Sequence, residues 1–327
     1  MTKFEEFIVI AYQISQESIV PYASKFSNKI YRQTQLLTLI LLKQYKGWDY
    51  RETEEMVASN PRIRELLALK STPDHSTLQK FNKRLSESII QKVFNAVLKR
   101  FKKFLAGRRR ALIDSTGYRL TQASLHYLGS RWYKENQGEN KPRRPFVKHT
   151  ILVDEFTQLL FGQRVRWGPS GDFTDFKPTI KTKPPWISIS AIAADSGFDS
   201  KSNHHYVRSG LKAKDAIKIG SGRPGKLADW RQKIKRYFPH AFYRLRVKVE
   251  GCISVIKRKF KNHILTRNNR LRLLEALLMG VVYNIHRGLQ LGVLVLLSLL
   301  RRISTQPKPD PLFSQINYFS IDGSETI

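Results

Sequence analysis

Asp114 and Asp195 stand in matching settings. Asp114 closes the apolar run of LIDSTG and Asp195 that of IAADSGFDS, each followed by Ser and, two or three residues on, by Gly. A carboxylate at a strand end is held by the sheet while its head points into a crevice, which suits a metal ligand. Either one alone reads equally well as a turn-forming Asp; two in the same context favour a chemical role. Glu250 is the third candidate. From Arg231 to Arg272 the chain has fourteen Lys or Arg and one acid, Glu250 itself. Such an acid could be a plain ion-pair partner, but its helical position argues for more. With Tyr243 at zero and about 100° per residue, Arg246 falls near −60°, Glu250 near −20° and Lys257 near −40°, one narrow stripe. Val249, Ile253, Ile256 and Phe260 fall between about −80° and −140°, an adjoining apolar stripe that would pack on a sheet. Glu250 is then expected at the edge of the buried face, within reach of acids at strand ends.

The elements that would position these acids are legible along the chain. Residues 1–107 read as an all-helical domain. An apolar helix spans Tyr31 to Tyr45; Asp49 with Glu52 forms an N-cap pair opening a second; Asn60-Pro61 opens a third through Leu69. Ser76 with Gln79 reads as a further capping box, and a long amphipathic helix runs from about Ser86 to Phe104, stopping at Gly107. Thr77 to Leu85 could be the recognition helix of a helix-turn-helix reader, or one helix of a bundle with a solvated basic face. After Gly107 the periodicity changes. Residues 111–116, 146–154, 159–166, 186–195 and 214–219 are β-rich, with DEFTQ suited to a hairpin between the second and third. The expected fold is α/β: a mixed five-stranded sheet with helices over 108–290. Residues 119–145 read as a surface insertion, and 291–327 as an apolar helix with a poorly ordered tail.

Composition narrows the partner. In 327 residues, 58 Lys and Arg face 26 Asp and Glu, a formal charge of +32, and 41% hydrophobic content is that of a folded protein. A charge excess of this size calls for a polyanion, of which nucleic acid is the commonest. The basic residues are spread along the chain instead of forming one amphipathic helix, which disfavours a membrane surface. LGVLVLLSLL (291–300) is about half the length of a membrane span, and the N-terminal MTKFEEFIVIAYQ does not read as a secretory signal. One cysteine, Cys252, excludes an intramolecular disulfide and leaves a cytoplasmic setting as the expectation. His149, His204 and His205 have no ligand spacing linking them to the acids and read as structural or surface residues.

Tyr243, Arg246, Glu250 and Lys257, at intervals of three, four and seven, resemble the Tyr-Arg-Glu-Lys motif of insertion-sequence transposases of the DDE type, groups four and five. LIDSTG and ADSGFDS are similar to that family's first and second catalytic aspartate contexts, and PDHSTLQKFNKRL (73–85) to its N-terminal region. The resemblance covers roughly residues 30–290. It implies an RNase H-like core and a DNA transposase whose catalytic and metal-binding acids are Asp114, Asp195 and Glu250. Two Mg²⁺ ions, or Mn²⁺, would be the cofactor. Such a pair of metals can activate the attacking oxygen and stabilise the leaving one in an in-line phosphoryl displacement. Tyr243, Arg246 and Lys257 would contact DNA near the cut. Trp230 could stack on a displaced base or be an ordinary core or surface tryptophan. The implied partners are terminal inverted repeats and target DNA, with a homodimer in the DNA complex. An RNase H-like nuclease without strand transfer, or a non-catalytic DNA-binding derivative, are the alternatives; the second should have lost an acid, and none is missing.

Overall fold

The structure, a computed structural model, describes residues 1–26, 28–120, 146–220 and 229–292. Of the segments expected as an insertion (119–145) and as a C-terminal helix and tail (291–327), residues 121–145 and 293–327 lie outside the described residues, and Arg119 and Leu120 belong to the first strand.

The N-terminal region is helical as expected: α1 (Lys3–Ser18), α2 (Gln33–Lys46), α3 (Tyr50–Ser59), α4 (Pro61–Leu66), α5 (His75–Arg84), α6 (Glu87–Arg100) and α7 (Lys102–Leu105). Local chemistry sets their ends. Asp49 and Glu52 cap α3 reciprocally, Asn60 accepts from the Arg62 amide ahead of Pro61, and Gly47 ends α2 in the left-handed conformation at φ 70°. α5 starts two residues earlier than the Ser76 pattern suggests. Asp74 is its N-cap and accepts from the Ser76 amide, because Asp caps at least as well as Ser and the chain before it is already extended.

The sheet runs β3-β2-β1-β4-β5. Its strands are β1 (Arg108–Leu120), β2 (Phe146–Asp154), β3 (Leu160–Gly168), β4 (Ser188–Ala194) and β5 (Lys214–Ile217), with β2 antiparallel to both neighbours and β4 and β5 parallel to β1. This is the mixed five-stranded sheet read from the sequence. A short sixth strand, β6 (His263–Ile264), pairs parallel with the end of β1. One face is covered by α8 (Phe176–Lys181), which packs on β3 and β2. α9 (Lys201–His205) links β4 to β5, and α10 (Asp229–Arg236), α11 (His240–Arg244), α12 (Val247–Phe260) and α13 (Asn269–Gln290) follow.

α13 joins the two halves of the molecule. It is buried along most of its length, packing on β2 and β3 and on α1, α2 and α6. Asn284 fixes it by accepting from the Leu160 amide at 2.8 Å and donating to the Leu160 carbonyl at 2.7 Å. The buried apolar residues of helices and sheet therefore form one continuous cluster, so burial that stabilises the helical region also holds the sheet. No helix among the described residues is long and apolar enough to cross a membrane.

Candidate active site beside the central strands

β1 and β4 pair in parallel with Leu112 beside Ala193, and continuing that register by two residues sets Asp114 beside Asp195. β4 stops at Ala194, but β1 runs on to Leu120, so Asp114 sits in mid-strand and does not close its strand as the sequence suggested; the two acids meet where the β1–β4 pairing stops. Asp114 accepts from the Ser115 amide at 2.9 Å, and Asp195 from the Gly197 amide at 2.9 Å as it caps a 3-10 turn. A side chain at Gly197 would press on Asp195 and on Asp172, with a Cβ only 2.8 Å from Asp172 Oδ2. Glycine is what lets the turn close behind Asp195, and it brings Asp172 close to this loop, a neighbour that the sequence did not single out.

Glu250 approaches from α12. Arg246 connects it to β1, donating from Nη1 to Asp114 Oδ2 at 3.2 Å and from Nη2 to Glu250 Oε1 at 2.5 Å. Glu250 is more exposed, at 49% of its side chain, than the helical wheel suggested. The buried residues of α12 are Val249, Cys252, Ile256 and Phe260; Cys252 replaces the half-buried Ile253, so the apolar stripe is turned away from Glu250. The helix is also broken where the wheel assumed continuity. α11 ends at Arg244, and Leu245, Arg246, Lys248 and Val249 each donate to the carbonyl three residues back, a tight 3-10 junction.

The field at the site is set by three acids and one guanidinium. Burial raises the Asp114 carboxyl to about 6; the Ser115 amide and Arg246 oppose the rise, and the negative charges of Asp195 and Glu250 add to it. Arg246 is raised in turn by Asp114, Glu250, Tyr243 and Asp195 against its own burial. Five residues singled out from the sequence, Asp114, Asp195, Tyr243, Arg246 and Glu250, are thus close enough to influence one another. Lys257 lies farther along α12. Burial lowers its pKa and the neighbouring Arg119 lowers it further, so two cations meet beyond the acids; Arg119, at the end of β1, carried no sequence signal of its own. Trp230 belongs to α10, with its side chain outside the described residues.

The acids do not converge on a single point. Among the described residues, the group whose ligand atoms all lie within 4.8 Å of one another is Glu54, Asp74 and His75, in the helical region. There Glu54 accepts from the His75 amide and ring at the start of α5, a capping role. At Asp114, Asp195 and Glu250 the donors are all carboxylate oxygens, the hard ligands that divalent cations such as Mg²⁺ prefer, and a cationic group already lies between two of them. That donor set fits a divalent metal.

Of the histidines singled out from the sequence, His205 is exposed and the other two are buried in side-chain networks. Buried His149 meets Tyr118 and Gln163. His204 is buried too, with Nδ1 2.6 Å from Asp215 and Nε2 3.1 Å from Asp199, tying the loop after Asp195 to β5.

A family model described as the transposase DDE domain matches residues 105–285, more than half of the chain. A second, described as a transposase domain (DUF772), matches residues 11–84. No curated protein matches the chain significantly. Among solved structures the chain is similar to a piggyBac transposase synaptic complex with hairpin DNA, seen by cryo-EM. That distant likeness has 12% identity and a TM-score of 0.41, over 95% of this chain and 81% of that one.

Proposed function

The chain belongs to the DDE transposase family, and on that premise we propose that Asp114, Asp195 and Glu250 form one acid site for two Mg²⁺ ions at which this DNA transposase cuts the ends of an insertion sequence and joins them to target DNA. The observation that carries the reading is Arg246 bonded to both Asp114 and Glu250, acids that only the packing of α12 against β1 brings near each other.

Asp114 and Asp195 are held by the sheet and the turn after β4, and Glu250 by α12, so a bound metal would have to draw the three carboxylates together. Bound Mg²⁺, or Mn²⁺ in its place, supplies Lewis-acid polarisation of the scissile phosphate and a more acidic attacking water. Arg246 offers a planar fork to a phosphate and Lys257, beside Arg119, a point charge. Tyr243 orients the terminal nucleotides, and Trp230, if it faces the DNA, stacks on a displaced base. Water attacks first, breaking the P–O3′ bond to leave a 3′ hydroxyl and a 5′ phosphate; that hydroxyl then attacks a target phosphodiester in the same site and expels the target's 3′ oxygen. The partners are terminal inverted repeats and target duplex, two copies of the chain hold two ends, and the setting is the cytoplasm, at the nucleoid.

The test is an assay with purified protein, a duplex bearing an element end, a supercoiled target and Mg²⁺. Cleaved ends and joined products are expected, both lost with EDTA and in Glu250→Gln. Cleavage without joining would identify a nuclease, and full cleavage by Glu250→Gln would remove Glu250 from the site.

A further inference from the structure

Arg246 does something in this structure that phosphate contact does not require. Its guanidinium lies among the acids, bonded to Asp114 Oδ2 and Glu250 Oε1 at 3.2 and 2.5 Å, and the side chain is 21% exposed. A metal held by those carboxylates needs oxygens at about 2.0–2.1 Å, and it would meet a fixed positive charge on the same two groups. Metal and guanidinium therefore compete for the same oxygens. Three acids and one Arg leave a net negative site, which holds the fork in place until a stronger cation arrives. A displaced fork needs a new anion, and the phosphodiester is one whose geometry it matches with two parallel hydrogen bonds.

We propose that Arg246 is a placeholder cation: it occupies the acid site of the free protein and exchanges carboxylates for DNA phosphate as the metal enters, so that metal loading and DNA engagement promote each other. This rests on the three-acid reading of the site. The device keeps the acids from repelling one another in the free protein and disfavours a metal-loaded site without DNA, in which the displaced guanidinium would lack its anion. Linkage makes the coupling reciprocal: whatever DNA does for metal affinity, metal does for DNA affinity.

The experiment is Mn²⁺ binding by electron paramagnetic resonance, in the wild type, Arg246→Gln and Glu250→Gln, each with and without a short uncleavable element-end duplex. Without DNA, Arg246→Gln is expected to bind Mn²⁺ about tenfold more tightly than wild type, the scale of one charge-assisted hydrogen bond. DNA should tighten Mn²⁺ binding more in the wild type than in the variant, by about that same factor. Equal or weaker Mn²⁺ binding by Arg246→Gln, or an equal DNA effect in both proteins, overturns the proposal. Glu250→Gln separates the two levels of the argument. Its loss of Mn²⁺ binding leaves the acid site standing whatever Arg246 does, whereas wild-type affinity sinks the acid site itself. Should Arg246→Gln not fold, ¹⁵N spectra of the wild-type arginine side chains, with Arg246 assigned through Arg246→Lys, decide the matter. The Arg246 Nε–H signal is expected to move on adding diamagnetic Mg²⁺ with DNA; a signal that stays put overturns the exchange.

Discussion

Asp154 and Asp114 belong to one ladder, Asp154 opposite Ala111 at its end and Asp114 opposite Ile151 nearer its middle, and the protein treats their carboxylates differently. Asp154 is 1% exposed and receives Nε and Nη2 of Arg109 at 2.8 and 2.9 Å, together with the amide and hydroxyl of Thr157. Those donors satisfy both oxygens and close the hairpin turn. Asp114 receives its neighbour's amide and one nitrogen of Arg246, and burial beside two further acids raises its carboxyl to about 6. A carboxylate with a structural task is saturated with fixed donors, whereas one kept for chemistry retains oxygen lone pairs and a neighbouring charge that can leave. The same contrast separates the capping cluster of Glu54, Asp74 and His75 from the three site acids.

Four substitutions sharpen or break that contrast. Glu250→Gln keeps size and hydrogen bonding but removes a charge, so Mg²⁺-dependent cleavage should fall by roughly three orders of magnitude or more while element-end binding stays near normal. A cleavage assay beside a gel-shift titration reads both, and near-normal cleavage would make Glu250 a structural acid. Arg109→Ala should have the opposite profile. It strands a buried carboxylate and should destabilise the fold by about 3 kcal/mol, seen as a lower thermal midpoint; an unchanged midpoint would contradict the structural role given to Asp154.

Asp114→Asn should stabilise the metal-free protein at pH 7. The folded carboxyl is raised above its ordinary value of 3.8 to about 6, so the stability linked to its proton is fully present below pH 4 and is lost as pH rises through 6. Two units at about 1.4 kcal/mol each bound the gain at about 3 kcal/mol, the opposing pull of Arg246 being already contained in the raised value. Thermal midpoints of the two proteins should therefore converge as pH falls to 4; a constant gap would refute the assignment. Lys257→Ala should have the smallest effect: about tenfold weaker DNA engagement near the cut, with the slope of log affinity against log salt shallower by about one unit. A salt slope equal to that of wild type would take Lys257 off the DNA.

Much of this was legible in the sequence because it is local. Caps such as Asp49 with Glu52 act across three residues, and the β-rich runs announce strands by composition, so both were found within a few residues of their true ends. Asp114 and Asp195 were legible because an acid closing an apolar run is a local property and two shared one context; that β1 runs on past Asp114 to Leu120 was not, because its continuation depends on pairing with β2. What the sequence could not show is what packing decides. β6 has two residues and no periodicity to read. The 3-10 junction at Leu245 breaks a wheel drawn over an unbroken helix, which is why Glu250 is more exposed than expected. Arg119 gains its place beside Lys257 only because β1 passes the end of α12, and His204 meets Asp199 and Asp215 only once β5 lies beside β4.

The central claim is that Asp114, Asp195 and Glu250 share one metal site, and the most direct measurement is an anomalous difference map from crystals grown with Mn²⁺ and element-end DNA. The account predicts manganese peaks between these carboxylates, with all three residues as ligands and Arg246 moved onto a phosphate. A peak at Glu54, Asp74 and His75 with none at the three acids, or manganese at Asp114 and Asp195 with Glu250 outside its coordination shell, would contradict it.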